Sequence, residues 1–208
     1  MPRDSFHHGN LRAELLDRGV AVLRERGLDA LSLRELARDA GISHGAPRSH
    51  FADRAALLEA LAERGFLRLA EALEAVQGDA GERRSADVLL REAGHAYLRF
   101  AAQNPSLLDL MFAAKASGPS EQIQAAAGRL FVATRTLVAA AVAPRFGDDA
   151  DIERLSLVLS ATVQGVSALV SSGRITAQRG DALLDDALQV FLAGAGAVCD
   201  GAPSQADR

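Results

Sequence analysis

The chain has 208 residues, a single cysteine (Cys199), no tryptophan and a formal net charge of −4. That length bounds it to one large domain or two small ones, and one cysteine excludes both a disulfide framework and a zinc site built on several thiolates. No apolar run approaches the ~20 residues of a membrane helix and no charged-then-apolar leader opens the chain, so a cytoplasmic protein without a membrane partner is expected. The 49% hydrophobic share lies mostly in Ala, Leu and Val, with 4% aromatics and six prolines. Ala, Leu and Arg cost least in a helix interior, so the composition predicts an all-α fold. The charge is uneven: residues 1–55 hold nine arginines against eight acids and four of the five histidines, whereas residues 56–208 hold 14 basic and 19 acidic groups. A near-neutral, histidine-rich head on an acidic body leaves room for a local cationic face.

In chain order, Asn10 can cap a helix over Leu11–Arg26 that Gly27 ends. Ser32 can cap the next, with Glu35 reaching back to the Ser32 amide; Leu33, Leu36, Ala37 and Ala40 form its buried face and Gly41 stops it. Ser43 can cap a third helix over His44–His50, with Pro47 near its first turn. Phe51 leaves it as an apolar anchor, and Asp53 caps a longer fourth helix through Leu73. The polar, glycine-containing stretch Gln77–Arg84 predicts a break. Helical patterns then recur over Ala86–Ala102, Ser106–Lys115, Glu121–Val142, Asp151–Ser172 and Asp181–Cys199, separated by Asn104-Pro105, Gly118-Pro119, Pro144 with Gly147, and Gly173. The predicted organisation is a head over residues 7–55, linked through a helix over 53–76 to a larger helical bundle over 77–200, with a polar, frayed tail at 201–208.

A short helix, a tight glycine turn and a second short helix opened by serine is the layout of a helix-turn-helix. The first helix crosses a nucleic-acid backbone, Gly41 allows the sharp turn, and the small Gly45 and Ala46 let the second helix lie close to base edges. The stretch from His7 to Leu73, with LSLRELARDAGISHGAPRSHFADRAALLEAL at its centre, resembles the DNA-binding head of the tetracycline-repressor (TetR) family of bacterial transcriptional regulators. The resemblance implies contacts to double-stranded DNA from Ser32 and its neighbour Arg34, from the recognition segment Ser43, His44, Gly45, Ala46, Arg48 and Ser49, and from His50 and Arg54. Arg48 stands where the family most often has tyrosine; arginine keeps the phosphate contact and loses the rigid ring. The opening HHGNLR and the Asn104-Pro105…Met111-Phe112 segment are similar to one branch, whose regulatory domain is named for a Trp-His-Gly signature. Ala161-Thr162-Val163-Gln164-Gly165 falls where that signature belongs, without its Trp and with Gln164 in place of His.

Outside the head, His95, Tyr97, Phe100, Met111, Phe112, Phe131, Arg135 and Gln164 are candidates to line a pocket for a small apolar effector. The two last long helices are rich in small and apolar residues (Leu155, Val158, Leu159, Thr162, Val163, Val166, Leu183, Leu184, Leu188, Phe191), and pairing with a second copy would form a four-helix homodimer interface. Arg3 lies in an N-terminal arm that can enter a minor groove or remain a tail. His7-His8 lack companion ligands, so no metal and no cofactor are expected. The chain has no Gly-x-Ser-x-Gly elbow, Walker loop or metal-spaced His-Glu motif, which predicts no enzyme activity. The expected function is a ligand-responsive repressor that binds a palindromic operator as a homodimer; the alternative is a helical sensor or interaction module without specific DNA binding.

Overall fold

In the computed structural model, which describes residues 11–43, 45–78, 84–142 and 148–200 (backbone alone for 196–200), the described residues form helices and no strand. The order is α1 (Leu11–Arg26), α2 (Leu33–Asp39), a 3-10 turn (Ala46–Ser49), α3 (Arg54–Gly78), α4 (Ala86–Gln103), α5 (Pro105–Ala116), α6 (Glu121–Val142), α7 (Asp149–Ser171) and α8 (Ala177–Asp200). The architecture is all-α, a helix-turn-helix head followed by a larger helical bundle. Asn10, Arg3, His7, His8, His44, Pro144, Gly147, most of the break before α4, the Cys199 side chain and the 201–208 tail lie outside the described residues.

Boundaries that differ from the predicted ones follow from local hydrogen bonds. Helix α8 starts four residues before Asp181, because Thr176 Oγ1 accepts from the Arg179 amide at 3.2 Å. Helix α7 starts before Asp151, because Asp148 Oδ1 accepts from the Ala150 amide at 3.0 Å. Pro105 itself opens α5, where its missing N–H costs nothing. Helices α6 and α7 are each long and apolar enough, by length and composition, to cross a membrane. The uninterrupted apolar runs within both stay short, because isolated polar residues interrupt them while the average remains high.

Contacts divide the chain into two units, Met1–Leu67 with Gln103–Ala127 and Arg68–Ala102 with Gly128–Arg208. The first unit therefore takes in α5 and the start of α6, which the composition groups with the bundle. Its core is Leu15, Leu16 and Leu23 of α1, Leu31, Leu36, Phe51, Leu57, Leu61 and Phe66, with Leu107 and Met111 of α5, all buried. Burying one such leucine or phenylalanine contributes roughly 1.5–3 kcal/mol. Helix α5 packs on α1, and Met111 sits against Gly65 so closely that a Cβ there would lie 2.5 Å from Sδ and 2.8 Å from Cγ. Phe112 meets Phe66 edge-on, with ring centroids 6.0 Å apart.

In the second unit α7 and α8 form an antiparallel pair around Leu155, Leu159, Val163, Leu184 and Leu188, with Leu90 and Leu98 of α4 also buried. The end of α3 is tied to α6 by a forked ion pair, Arg129 Nε to Glu74 Oε1 at 2.8 Å and Nη2 to Oε2 at 2.6 Å, and by Gln77 Nε2 donating to the Ala133 carbonyl at 3.2 Å. The Arg129 guanidinium holds the Glu74 carboxyl below its ordinary pKa.

The Gly65–Met111 contact has a measurable consequence. Gly65→Ala is expected to lower stability by about 1–2 kcal/mol through overpacking, against the helix propensity it gains. In a Met111→Ala background the same substitution should be neutral or stabilising. Denaturant unfolding of the four proteins of this cycle reads the coupling.

Candidate nucleic-acid interface

Helix α2 is set by its cap. Ser32 is extended (φ −143°) and its Oγ accepts from the Glu35 amide at 3.1 Å. The reciprocal half of the predicted capping box is replaced: the Glu35 carboxylate pairs with Arg38 at 3.4 Å and Arg26 at 3.8 Å. Gly41 then turns the chain in the left-handed region (φ 67°), and the Ile42 amide closes the helix end on the Ala37 carbonyl at 3.0 Å.

The predicted third helix over His44–His50 is corrected to the four-residue 3-10 turn Ala46–Ser49, whose N-cap position is Gly45 and not Ser43. An α-helix here would need the amide of residue 47 to reach the Ser43 carbonyl, and Pro47 has no amide hydrogen. The Ser43 carbonyl accepts instead from Ala46 N at 3.0 Å, and the Gly45 carbonyl from Arg48 N at 3.1 Å. The Pro47 carbonyl closes the turn by accepting from both His50 N (3.0 Å) and Phe51 N (2.9 Å). Phe51 is 2% exposed and anchors the segment. Asp53 Oδ1 accepts from the Ala56 amide at 2.9 Å and starts α3.

The candidate contact residues then separate by what their side chains already do. Arg48 and Arg34 are exposed, and among the described residues no acid pairs with either. Ser43 and Gly45 are exposed, and Ala46, His50 and Ser32 are half-buried. Ser49 Oγ donates back to the Ala46 carbonyl at 2.7 Å. Arg54 is occupied within the head: its Nε donates to the Leu31 carbonyl at 3.0 Å and its Nη2 to the Leu28 carbonyl at 2.8 Å. A residue that spacing does not single out is Arg12, whose guanidinium lies 5.5 Å from the centroid of the Phe51 ring; nothing in the local sequence links positions 12 and 51.

Most other charges of α1 and α2 neutralise one another. Arg18 pairs with Glu14 at 2.8 Å and donates to the Asp39 carbonyl at 2.7 Å, while Arg26 pairs with the Asp39 carboxylate at 3.0 Å. Arg38 also meets Asp39, at 3.5 Å, and Arg64 pairs with Asp17. Among the described residues, what remains unpaired at α2 and the turn is cationic, the sign a phosphate backbone requires.

The pocket candidates are distributed over both units. Met111 and Phe112 pack in the first. In the second, Phe100, Phe131 and Gln164 are half-buried, Arg135 pairs with Asp149, and His95 lies between two acids of α8. Its Nδ1 is 3.2 Å from Asp181 Oδ1 and its Nε2 3.1 Å from Asp185 Oδ1. Arg91 Nη1 reaches the same Asp185 oxygen at 2.5 Å. Arg91 first, and His95 second, hold the Asp185 carboxyl below its ordinary pKa. Tyr97 is 8% exposed and, among the described residues, its hydroxyl meets no hydrogen-bond partner; a buried hydroxyl left so costs about 1–3 kcal/mol.

With this geometry the chain can be compared with known proteins. Residues 15–61 match the model for bacterial regulatory proteins of the tetR family, and residues 90–191 match that for a tetracyclin repressor-like C-terminal domain. A solved structure of a protein with unknown function from Rhodococcus sp. RHA1 is 39% identical, covering 92% of this chain and 98% of that one, with a TM-score of 0.79. A TetR-like transcriptional regulator from Rhodococcus sp. RHA1 is 25% identical over 93% of this chain and 99% of that one, with a TM-score of 0.60. A TetR transcriptional regulator from Streptomyces coelicolor is also 25% identical, over 86% and 97%, with a TM-score of 0.60. No curated protein matches the chain. The chain belongs to the tetR family of DNA-binding transcriptional regulators.

Two outcomes test these local assignments. Arg54→Ala should destabilise the protein by about 1–2 kcal/mol, because two loop carbonyls lose charge-assisted donors, and Arg54→Lys should restore only part of it; thermal or denaturant unfolding reads both. Asp185 has a folded pKa below its ordinary 3.8, so its contribution to stability is present above that value and lost as pH falls through the lower folded one. Asp185→Asn should therefore lower Tm at neutral pH, and the gap to wild type should close as the solution is acidified through that range.

Proposed function

We propose that the chain is a ligand-responsive repressor that acts in the cytoplasm as a homodimer on a palindromic operator. It works by binding and not by catalysis, and needs no cofactor and no membrane. The observation that carries this reading is the pair of exposed arginines, Arg34 and Arg48, without acidic partners on a head whose other described charges are largely neutralised. Repression is the commoner behaviour in the family.

One four-residue turn meets too few base pairs to specify a site. Two heads related by a two-fold axis, reading half-sites about 34–36 Å apart, supply the rest. Homodimerisation through the last two helices is supported by apolar side chains exposed on them: Leu157 (55%) and Val158 on α7, Leu183 and Val190 (71%) on α8. Of the residues grouped for this role by composition, Leu155, Leu159, Val163, Val166, Leu184 and Leu188 are buried within the unit, leaving the outer face to the others. A small apolar effector bound in the second unit would bias operator affinity; a coupling of about 1–3 kcal/mol corresponds to about 5–150-fold. We place the regulatory domain in the Trp-His-Gly branch on the strength of the Asn104-Pro105…Met111-Phe112 segment and of Gly165.

The second reading, a helical sensor without specific DNA binding, is favoured by the shortness of the turn and by arginine at position 48. Selection from random DNA across a salt series, with wild type and Arg48→Ala, separates the two. A repressor enriches a palindrome, and its log–log salt slope should fall by about 1.8 in the variant, since each phosphate contact contributes about 0.9 and a dimer loses two. Enrichment with an unchanged slope removes Arg48 from the phosphate; weak, sequence-blind binding selects the sensor.

A further inference from the structure

The first turn of α1 carries an arginine whose charge no acid of the head takes up. Arg12 is exposed, and among the described residues no carboxylate pairs with it. At that end of a helix a cation opposes the backbone dipole, so its charge works against α1. The side chain is nevertheless held in place, its guanidinium 5.5 Å from the centroid of the Phe51 ring. Phe51 is the residue that fastens the turn Ala46–Ser49: its ring is buried and its amide donates to the Pro47 carbonyl at 2.9 Å. Arg12 therefore flanks the turn that presents Arg48.

A ring attracts the positive charge of a guanidinium and occupies none of its five N–H donors, which stay fixed in one plane. Among the described residues those donors meet no acceptor. Arg24 supplies the contrast on the same helix. It too is exposed and has no acidic partner among the described residues, but it sits in the last turn, where a cation suits the dipole. At 1.5 Å per residue it lies about 18 Å from Arg12 along the axis, beyond the screening length of physiological salt.

We infer that Arg12 is a further phosphate-contacting residue of the head, its guanidinium donating to a DNA backbone phosphate beside the turn while Phe51 holds it in position. The contact comes from α1, outside the helix-turn-helix. Because the guanidinium is ordered before DNA arrives, it loses less freedom on binding than a side chain that no ring holds. The inference rests on the reading of the head as DNA-binding and adds a second element that grips the backbone.

The full chain is titrated onto a labelled duplex of random sequence across a salt series, since a phosphate contact is independent of sequence. Arg12→Met removes the charge and still covers the ring. It should lower the log–log salt slope by about 0.9 per bound head, and Arg12→Gln, which covers the ring less well, should lower it equally. Arg12→Lys should keep the wild-type slope, as should Arg24→Met. Thermal unfolding of the same proteins separates charge from structure. A slope that follows Tm and not charge, an unchanged slope in Arg12→Met, or an equal fall in Arg24→Met would each overturn the inference. Palindrome selection by wild type with an unchanged Arg12→Met slope removes only this inference. A lowered slope without palindrome selection removes only the repressor reading, and wild type without salt-dependent binding removes both.

Discussion

A 3-10 turn of four residues has too few internal hydrogen bonds to persist in water by itself, so the segment that presents Arg48 has to be held from outside. Phe51 does the holding. Its ring is buried, its amide returns to the Pro47 carbonyl, and the Arg12 guanidinium lies against the ring from α1. Arg54, three residues on, fastens the first turn of α3 to the carbonyls of Leu28 and Leu31 in the connection between α1 and α2. The position of Arg48 is thus imposed by contacts with α1, α3 and the α1–α2 connection and not by the propensity of its own segment.

The same economy governs the charges. A net charge of −4 argues against a polyanionic partner only if charges are treated as a sum. Within α1 and α2 the acids Glu14, Glu35 and Asp39 are each matched to an arginine, and Asp53 serves as a helix cap. Each such pair contributes little to stability at a surface, yet among the described residues they leave Arg34 of α2 and Arg48 of the turn exposed and without an acidic partner. Charge that is paired within a protein neither attracts nor repels a phosphate at a distance, and charge that is unpaired does.

What could be read from the sequence was what depends on neighbours in the chain. The extents of α1 and α6, the cap at Ser32 and the left-handed Gly27 and Gly41 follow from periodicity and from local hydrogen-bonding chemistry. The third helix misled because Ser43 and Pro47 are each compatible with a helix start, and only the bond from residue 47 to Ser43, which Pro47 cannot make, decides against it. Arg54 reads as a cation for DNA because nothing local reveals two carbonyls more than twenty residues earlier. His95 and Arg135 read as pocket groups for the same reason, since their acids are on other helices. Spacing identifies which side chains leave a helix on one face; it does not identify what they meet.

The second unit shows the converse case, in which a partner is missing where chemistry expects one. Buried hydroxyls in helices are seldom left unmatched, because the serine can turn to its own backbone and the tyrosine can reach a neighbour's. Among the described residues an interior filled largely by leucine, alanine and valine gives Tyr97 no such neighbour, and phenylalanine would pack there without that cost.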